Sequence, residues 1–237
     1  MRGFLIVNGK SLADYFVWYD GSREFQTPAR KYEKVTVPGR SGDLIIAEDA
    51  WENIEIPYSC LIRQDFPQNY AALLSFLHST PKYVRIETTA QPDIYRMGAF
   101  LGATEPNTGP YNDRARFTLS FDCKPQKWLK SGEIPIPVDD SAAVTVNNPT
   151  AFTALPLIKV TAGTGTITVN STVVTLSANN GATIIDCEMQ ECYEGSTNRN
   201  GDLALTTGDF PKLKPGTNTI TVGEDMEIEL TPRWWRI

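Results

Sequence analysis

The chain has 237 residues, of which 41% are hydrophobic and 21% are charged, and its formal net charge is −6. These proportions are ordinary for a globular protein, and no apolar stretch approaches the length of a membrane span, which excludes a transmembrane protein. The 17 Gly and 16 Pro residues, together with many Thr and Val residues, favour an all-β fold with numerous turns.

The charge is distributed unevenly along the chain. Residues 132–237 contain 6 of the 22 Lys and Arg residues but 13 of the 28 Asp and Glu residues. Clustered Lys and Arg side chains drive the binding of phosphate groups. We therefore expect no nucleic acid and no anionic membrane surface as a partner.

The first third of the chain reads as extended segments separated by turns. Strands are predicted at residues 4–7, before an Asn8-Gly9 turn, at 18–19, within 25–37 and at 44–46, with a glycine-rich loop at 38–43. Residues 54–62 form a long apolar alternation. Pro57 interrupts it and suggests an edge strand or a bulge, because proline has no N–H to donate.

A helix is predicted after residue 65. Asp65 is placed to cap it, Pro67 falls in its first turn, and Ser79, Thr80 and Pro81 end it. An apolar stripe at i, i+3, i+4 and i+7 runs along one side of this helix through Tyr70, Leu73, Leu74 and Leu77. A lone helix among strands is expected to lie across a sheet and to close its core.

Strands are then predicted at 83–87, 94–101 and 117–123, and after Gly132 the pattern is purely β. Short strands are predicted at 144–146, 157–160, 166–169, 172–176, 183–185, 217–222 and 226–230, and this density is typical of a β-sandwich. The segment Ile-Pro-Ile-Pro at 134–137 reads as a stiff connector. We predict a mainly β protein with two domains, at residues 1–133 and 134–237.

The cysteines Cys60, Cys123, Cys187 and Cys192 include no C-x-x-C pair. We favour four reduced thiols made in a cytoplasm, with a bond between Cys187 and Cys192 left as the alternative.

Few residues suggest catalysis or cofactor binding. The single histidine, His78, lies at the predicted end of the helix, where a cation complements the helix dipole, and one histidine cannot build a histidine-rich metal site. The cluster Asp186, Glu188, Glu191 and Glu194 lacks the register of an EF-hand and is interpreted as a solvated acidic surface. We predict no enzyme activity, no metal and no cofactor.

The chain ends in a tryptophan pair, Trp234 and Trp235, flanked by arginines. Exposed tryptophans stack on sugar rings, so both are candidates for carbohydrate contact. The favoured interpretation is structural: adjacent residues of a strand point to opposite faces, so one ring fills the core and the other covers a second surface.

Several short motifs, in order along the chain, resemble the distal tail proteins of long-tailed, non-contractile bacteriophages, the Dit family. The motifs in the first half are Thr27-Pro28 with Arg30, residues 37–44, the tyrosine-bearing strand after Asn53, residues 91–96 and residues 121–132. Those in the second half are Asn148-Pro149, residues 209–218 and residues 232–237. Each motif alone is weak, and the specificity lies in their order and combination.

This resemblance implies a structural virion protein without catalysis. The first domain would be a β-sandwich or split barrel with one helix and an extended hairpin. It would form a hexameric ring that joins the tail tube protein to the tail-tip protein and anchors receptor-binding proteins. The second domain would be a galectin-like β-sandwich. The implied place is the tail tip of the virion, assembled in the bacterial cytoplasm. A carbohydrate-binding module that contacts the host wall directly is the alternative.

Seven residues are candidates for the contact between subunits of such a ring, and they are Arg30, Pro38, Gly39, Arg40, Gly42, Asp43 and Tyr58. The alternating strand 54–62 is expected to pair edge to edge across subunits, because an unpaired strand edge is a ready template for another chain.

Overall fold

The computed structural model of the protein describes residues 3–21, 25–80, 82–109, 111 and 113–237. The chain divides into two compact units, Met1–Lys127 with Ile237, and Trp128–Arg236, here called the first and second unit. Pro81, predicted at the end of the helix, lies outside the described residues. The assignment of separate roles to domains 1–133 and 134–237 stays a prediction.

The first unit is built from ten strands and one helix among its described residues. They are β1 (Leu5–Val7), β2 (Lys10–Ser11), β3 (Val17–Tyr19), β4 (Arg30–Thr36), β5 (Asp43–Trp51), β6 (Ile54–Ile62), α1 (Phe66–Ser79), β7 (Val84–Thr88), β8 (Ile94–Ala103), β9 (Asn107–Thr108) and β10 (Ala115–Cys123).

The main sheet of the first unit has the order β2-β1-β7-β8-β10-β6-β3, with β9 beside β10. It curls until β3 meets the start of the chain, where Gly3 and Tyr19 exchange two backbone hydrogen bonds of 3.1 Å. A Cβ atom at Gly3 would lie 2.5 Å from the Tyr19 ring, so only glycine permits this closure. The predicted mainly β fold, with a barrel-like first unit, is confirmed.

Helix α1 closes the core of the barrel, as the apolar stripe predicts. Leu73 and Leu77 are buried together with the inward residues of the strands, and Pro67 stands in the first turn. The predicted cap is wrong in one respect: Asp65 occupies the N-cap position but makes no side-chain hydrogen bond to the helix. It has a left-handed backbone with φ of 46°, whereas a capping side chain needs an extended one.

Strand β6 is not an edge strand along its whole length, which corrects the expectation drawn from its alternation. β10 pairs with all of it, and β3 pairs with Cys60–Ile62. Only its beginning has a partner on a single side among the described residues. Pro57 lies in that part, opposite Ser120, which explains how the sheet tolerates a proline there.

The second unit is a two-sheet β structure, with strand β11 (Lys127–Leu129) spanning the point of division. Its remaining strands are β12 (Ile136–Val138), β13 (Val144–Asn148), β14 (Leu157–Ala162), β15 (Gly165–Val169), β16 (Thr172–Leu176), β17 (Thr183–Asp186), β18 (Glu191–Glu194), β19 (Thr197–Asn198), β20 (Leu203–Leu205), β21 (Gly216–Val222), β22 (Glu227–Thr231) and β23 (Trp235–Arg236).

One sheet of the second unit has the order β12-β22-β14-β17-β18-β19 and the other β13-β21-β15-β16-β20. Alternate residues of both sheets form one buried cluster that includes Ile158, Ile167, Ile185, Ile220 and Leu230. This arrangement matches the predicted β-sandwich, and its galectin-like character stays a prediction. Strands β18–β20 were not predicted, because their polar residues carry no apolar alternation.

Candidate assembly surface

The most exposed regular structure of the first unit is the hairpin formed by β4 and β5. It is a two-stranded sheet of its own, with Thr36 opposite Asp43 at the tip and Arg30 opposite Trp51 at the base. Apolar side chains on both faces of the hairpin are exposed to solvent: Tyr32 by 52%, Leu44 by 43%, Ile45 by 62% and Ile46 by 49%. A lone two-stranded hairpin is marginally stable in water, so these strands are suited to being covered by another protein surface.

The tip of the hairpin holds the predicted candidates Pro38, Gly39, Arg40, Gly42 and Asp43. Gly39 and Gly42 have φ of 80° and 82°, a left-handed backbone that favours glycine. The Arg40 backbone N–H donates to the Val37 carbonyl at 3.2 Å. The Thr36 hydroxyl donates to the Asp43 carboxylate at 2.9 Å. These bonds give the loop a defined shape and leave the Arg40 side chain exposed.

Arg30 lies at the base of the hairpin and fixes it from within. Its Nε donates to the Glu48 carbonyl at 3.3 Å, and its guanidinium lies 5.9 Å from the centre of the Trp51 ring. Such a cation–π contact contributes about 0.5–1 kcal/mol at an exposed position. Arg30 therefore shapes the candidate surface from its base.

Tyr58 does not lie on this surface, although the sequence placed it among the candidates. Its side chain is 1% exposed and packs edge-on against Tyr19 and Phe121, at ring-centre distances of 6.0 and 5.9 Å. The alternation of β6 turns every second residue inward, and residue 58 belongs to the inward set. It stabilises the subunit instead of contacting a neighbour.

The tryptophan pair is divided between two environments. Trp234 is 5% exposed and belongs to the buried cluster of the second unit. Trp235 stacks on Phe152 at 4.5 Å, and its Nε1 donates to the Thr153 carbonyl at 3.0 Å. Neither indole ring stands free in solvent as a flat sugar platform would. Carbohydrate contact through these residues stays a prediction.

The acidic cluster of the second unit is drawn into an ion pair that sequence reasoning missed. The Arg233 guanidinium donates to both carboxylate oxygens of Asp186 at 2.8 and 2.9 Å, and lies 3.5 Å from Glu188. Burial alone would raise the pKa of the Asp186 carboxyl, but hydrogen bonds from Arg233 and from the Met189 and Glu188 backbone lower it below its ordinary value. The arrangement has a structural role.

Among the described residues no group of His, Cys, Asp and Glu side chains could hold a metal ion. Within the same part of the chain, no helix is long and apolar enough to cross a membrane.

A comparison with protein-family models gives no match, and neither does a comparison with the sequences of curated proteins. Among solved structures, the chain is similar to SPP1 Dit (gp 19.1), described as a paradigm of the hub adsorption apparatus in phages that infect Gram-positive bacteria. The TM-score is 0.77 at 18% identity, and the match covers 99% of each chain.

The chain is also similar to protein chains of the phage P2 baseplate in its activated conformation. With Ca the TM-score is 0.55 at 10% identity, covering 97% of each chain, and with Sr it is 0.54 at 10% identity, covering 100% of this chain and 98% of that one. The resemblance to the Dit proteins noted in the sequence is confirmed at the level of the fold.

Proposed function

We propose that this protein is a structural hub of the phage tail, which forms a hexameric ring at the distal end of a long, non-contractile tail. The observation that carries the proposal is the fold shared with SPP1 Dit over 99% of both chains. Fold alone does not determine function, so the proposal also needs a surface suited to assembly. The hairpin β4–β5 is that surface.

The hairpin supports a ring for an energetic reason. Full burial of a side chain such as Leu or Ile contributes about 1.5–3 kcal/mol, and Leu44, Ile45 and Ile46 are all largely exposed in the single chain. Residues 1–131 contain 16 Lys and Arg and 15 Asp and Glu residues, so copies of this half meet without large charge repulsion. Contact between the hairpin and a neighbouring copy gains that burial at low electrostatic cost.

In this role the protein has no catalytic activity. The ring joins the tail tube protein on one side to the tail-tip protein on the other, and it anchors receptor-binding proteins. Its place is the virion tail tip, and assembly takes place in the bacterial cytoplasm. These partners are expected to be encoded beside it.

Native mass spectrometry of the full chain, alone and mixed with the adjacent tube and tip proteins, tests the proposal. We expect a six-subunit species, and rings in negative-stain images. The double variant Ile45→Glu/Ile46→Glu should abolish that species, because two charges on the hairpin would have to be desolvated at the contact.

Ile134→Glu provides the control, since Ile134 is 65% exposed, much like Ile45, but lies in the second unit. It should leave the ring intact. A chain that stays monomeric and binds neither tube nor tip protein would overturn the proposal.

A further inference from the structure

An open groove runs across the outer face of the first unit, over strands β6, β10 and β9. It has two parts, of about 640 and 710 Å³, that share Leu61, Arg63, Asn107 and Arg116 in their lining. Leu61 pairs with Trp18 on one side and Arg116 on the other, so its floor includes an apolar patch. Its wall is held in place where Thr104 and Thr118 exchange hydrogen bonds of 2.9 Å.

The two ends of the groove differ in charge. Asp20 and Glu105 line one end, and Arg63, Arg114 and Arg116 gather at the other. Arg114 lies 3.7 Å from Asp113, whereas Arg63 and Arg116 make no ion pair within the described residues. Both side chains are exposed. The basic end therefore presents two guanidinium groups that are available to a carboxylate from outside the subunit.

The outer strand of the hairpin, β5, carries the complementary pattern. Leu44, Ile46 and Glu48 are alternate residues and so share one face, while β5 contains no Lys or Arg. The exposed Arg40 lies beyond the start of the strand, at the tip. Along its length the hairpin thus runs from basic, through apolar, to acidic.

The spacings of the two patterns agree. Ile46 and Glu48 are two residues apart on β5, and Leu61 and Arg63 are two residues apart on β6, about 7 Å in each strand. Placing Ile46 over Leu61 therefore brings Glu48 to the basic end and directs Arg40 towards the acidic end. Apolar groups meet apolar groups and each charge meets its opposite.

We propose that this groove seats strand β5 of a neighbouring copy of the chain. The inference rests on the proposed ring, and it names the surface that receives the hairpin. A closed ring needs two different patches on each subunit, one meeting the other on the next copy. The hairpin supplies the first patch and the groove supplies the second, while the charges at both ends set the direction in which β5 lies.

Charge reversal with rescue tests the pairing in the full chain. Arg63→Glu/Arg116→Glu should weaken self-association by about tenfold or more, and Glu48→Lys should weaken it as well, because each places like charges together. All three changes in one chain restore opposite charges at every interface. The triple variant should therefore associate more tightly than either parent variant, as measured by sedimentation over a concentration series.

Lys82→Glu is the matched control, since Lys82 is an exposed cation of the same unit outside the groove. It should leave association unchanged. Circular dichroism of every variant distinguishes a lost interface from a lost fold. Normal association of a folded Arg63→Glu/Arg116→Glu variant would overturn the groove as the seat, while a ring that still depends on Ile45 and Ile46 would keep the proposed function. A triple variant no tighter than its parents would show that β5 is not the occupant.

A photo-crosslinking residue in place of Ile46 gives an independent readout at high protein concentration. We expect crosslinks between subunits to peptides that contain Leu61 or Arg116. Crosslinks confined to other peptides, or none between subunits, would contradict the proposal.

Discussion

Asp186 is a buried charge whose every role in the structure depends on its partners. Its side chain is 4% exposed, and its Oδ1 accepts from the Glu188 and Met189 backbone N–H groups at 2.9 and 3.1 Å as well as from Arg233. A buried carboxylate is tolerated only when it is paired and hydrogen-bonded in this way. The ion pair fixes Arg233, which has a left-handed backbone with φ of 58°, to the sandwich.

Replacing Asp186 by Asn should destabilise the protein by about 3 kcal/mol at pH 7, because Arg233 would lose its counter-charge. The Asp186 pKa is lowered in the folded state, so its stabilisation is present above the ordinary carboxyl pKa and is lost as pH falls through the folded value. The stability difference between the two proteins should thus be constant above about pH 5 and shrink below about pH 4. Urea unfolding from pH 3 to pH 7 measures it, and a difference that grows in acid would contradict the assignment.

At the scale of elements, the segment after β11 and the chain end at β23 approach each other unusually closely. The Arg233 N–H donates to the Gly132 carbonyl and the Leu129 N–H donates to the Trp234 carbonyl, both at 2.8 Å. A Cβ atom built on Gly132 would lie 2.3 Å from the Trp234 backbone nitrogen. Residue 132 must therefore be glycine because backbone meets backbone there.

Gly132→Ala should destabilise the protein by about 1–3 kcal/mol, since the backbones must separate to admit a methyl group. Gly201→Ala is the control, because nothing lies within 4 Å of a Cβ atom at that position. The control should change stability by less than about 0.5 kcal/mol. Thermal unfolding of both variants compares them, and equal melting temperatures would refute the steric argument.

Across the whole molecule, the four cysteines are free and buried. Burial raises the pKa of the Cys60 thiol, and raises that of Cys123 and Cys187 to about 12 and that of Cys192 to about 11. Only the thiolate is a good nucleophile, so none of these groups is reactive near neutral pH. The absence of a bond between Cys187 and Cys192 agrees with the favoured interpretation of the sequence.

We expect no thiol to react with Ellman's reagent at pH 8 in the folded protein, and four to react after denaturation in guanidinium chloride. A reducing agent should leave the melting temperature unchanged. Rapid labelling of any cysteine in the native state would show that the two cores open more readily than their packing indicates.

Local patterns in the sequence were sufficient to predict the β class, the helix and many of the strands, because apolar period and turn chemistry are properties of neighbouring residues. The strand 54–62 coincides with β6 and the strand 172–176 with β16. The ordered motifs also predicted the Dit-like fold. Each of these depends on short segments whose meaning survives without knowledge of their neighbours in space.

Only the tertiary structure decided which faces are covered and which strands are edges. Periodicity shows that Tyr58 shares a face with Ile56, but it does not show that this face lies inside a barrel closed at Gly3 and Tyr19. In the same way, Arg63 and Arg116 are distant in sequence and meet only because β6 and β10 are paired. Contacts between distant segments depend on how the sheet closes, and that closure is a property of the whole chain.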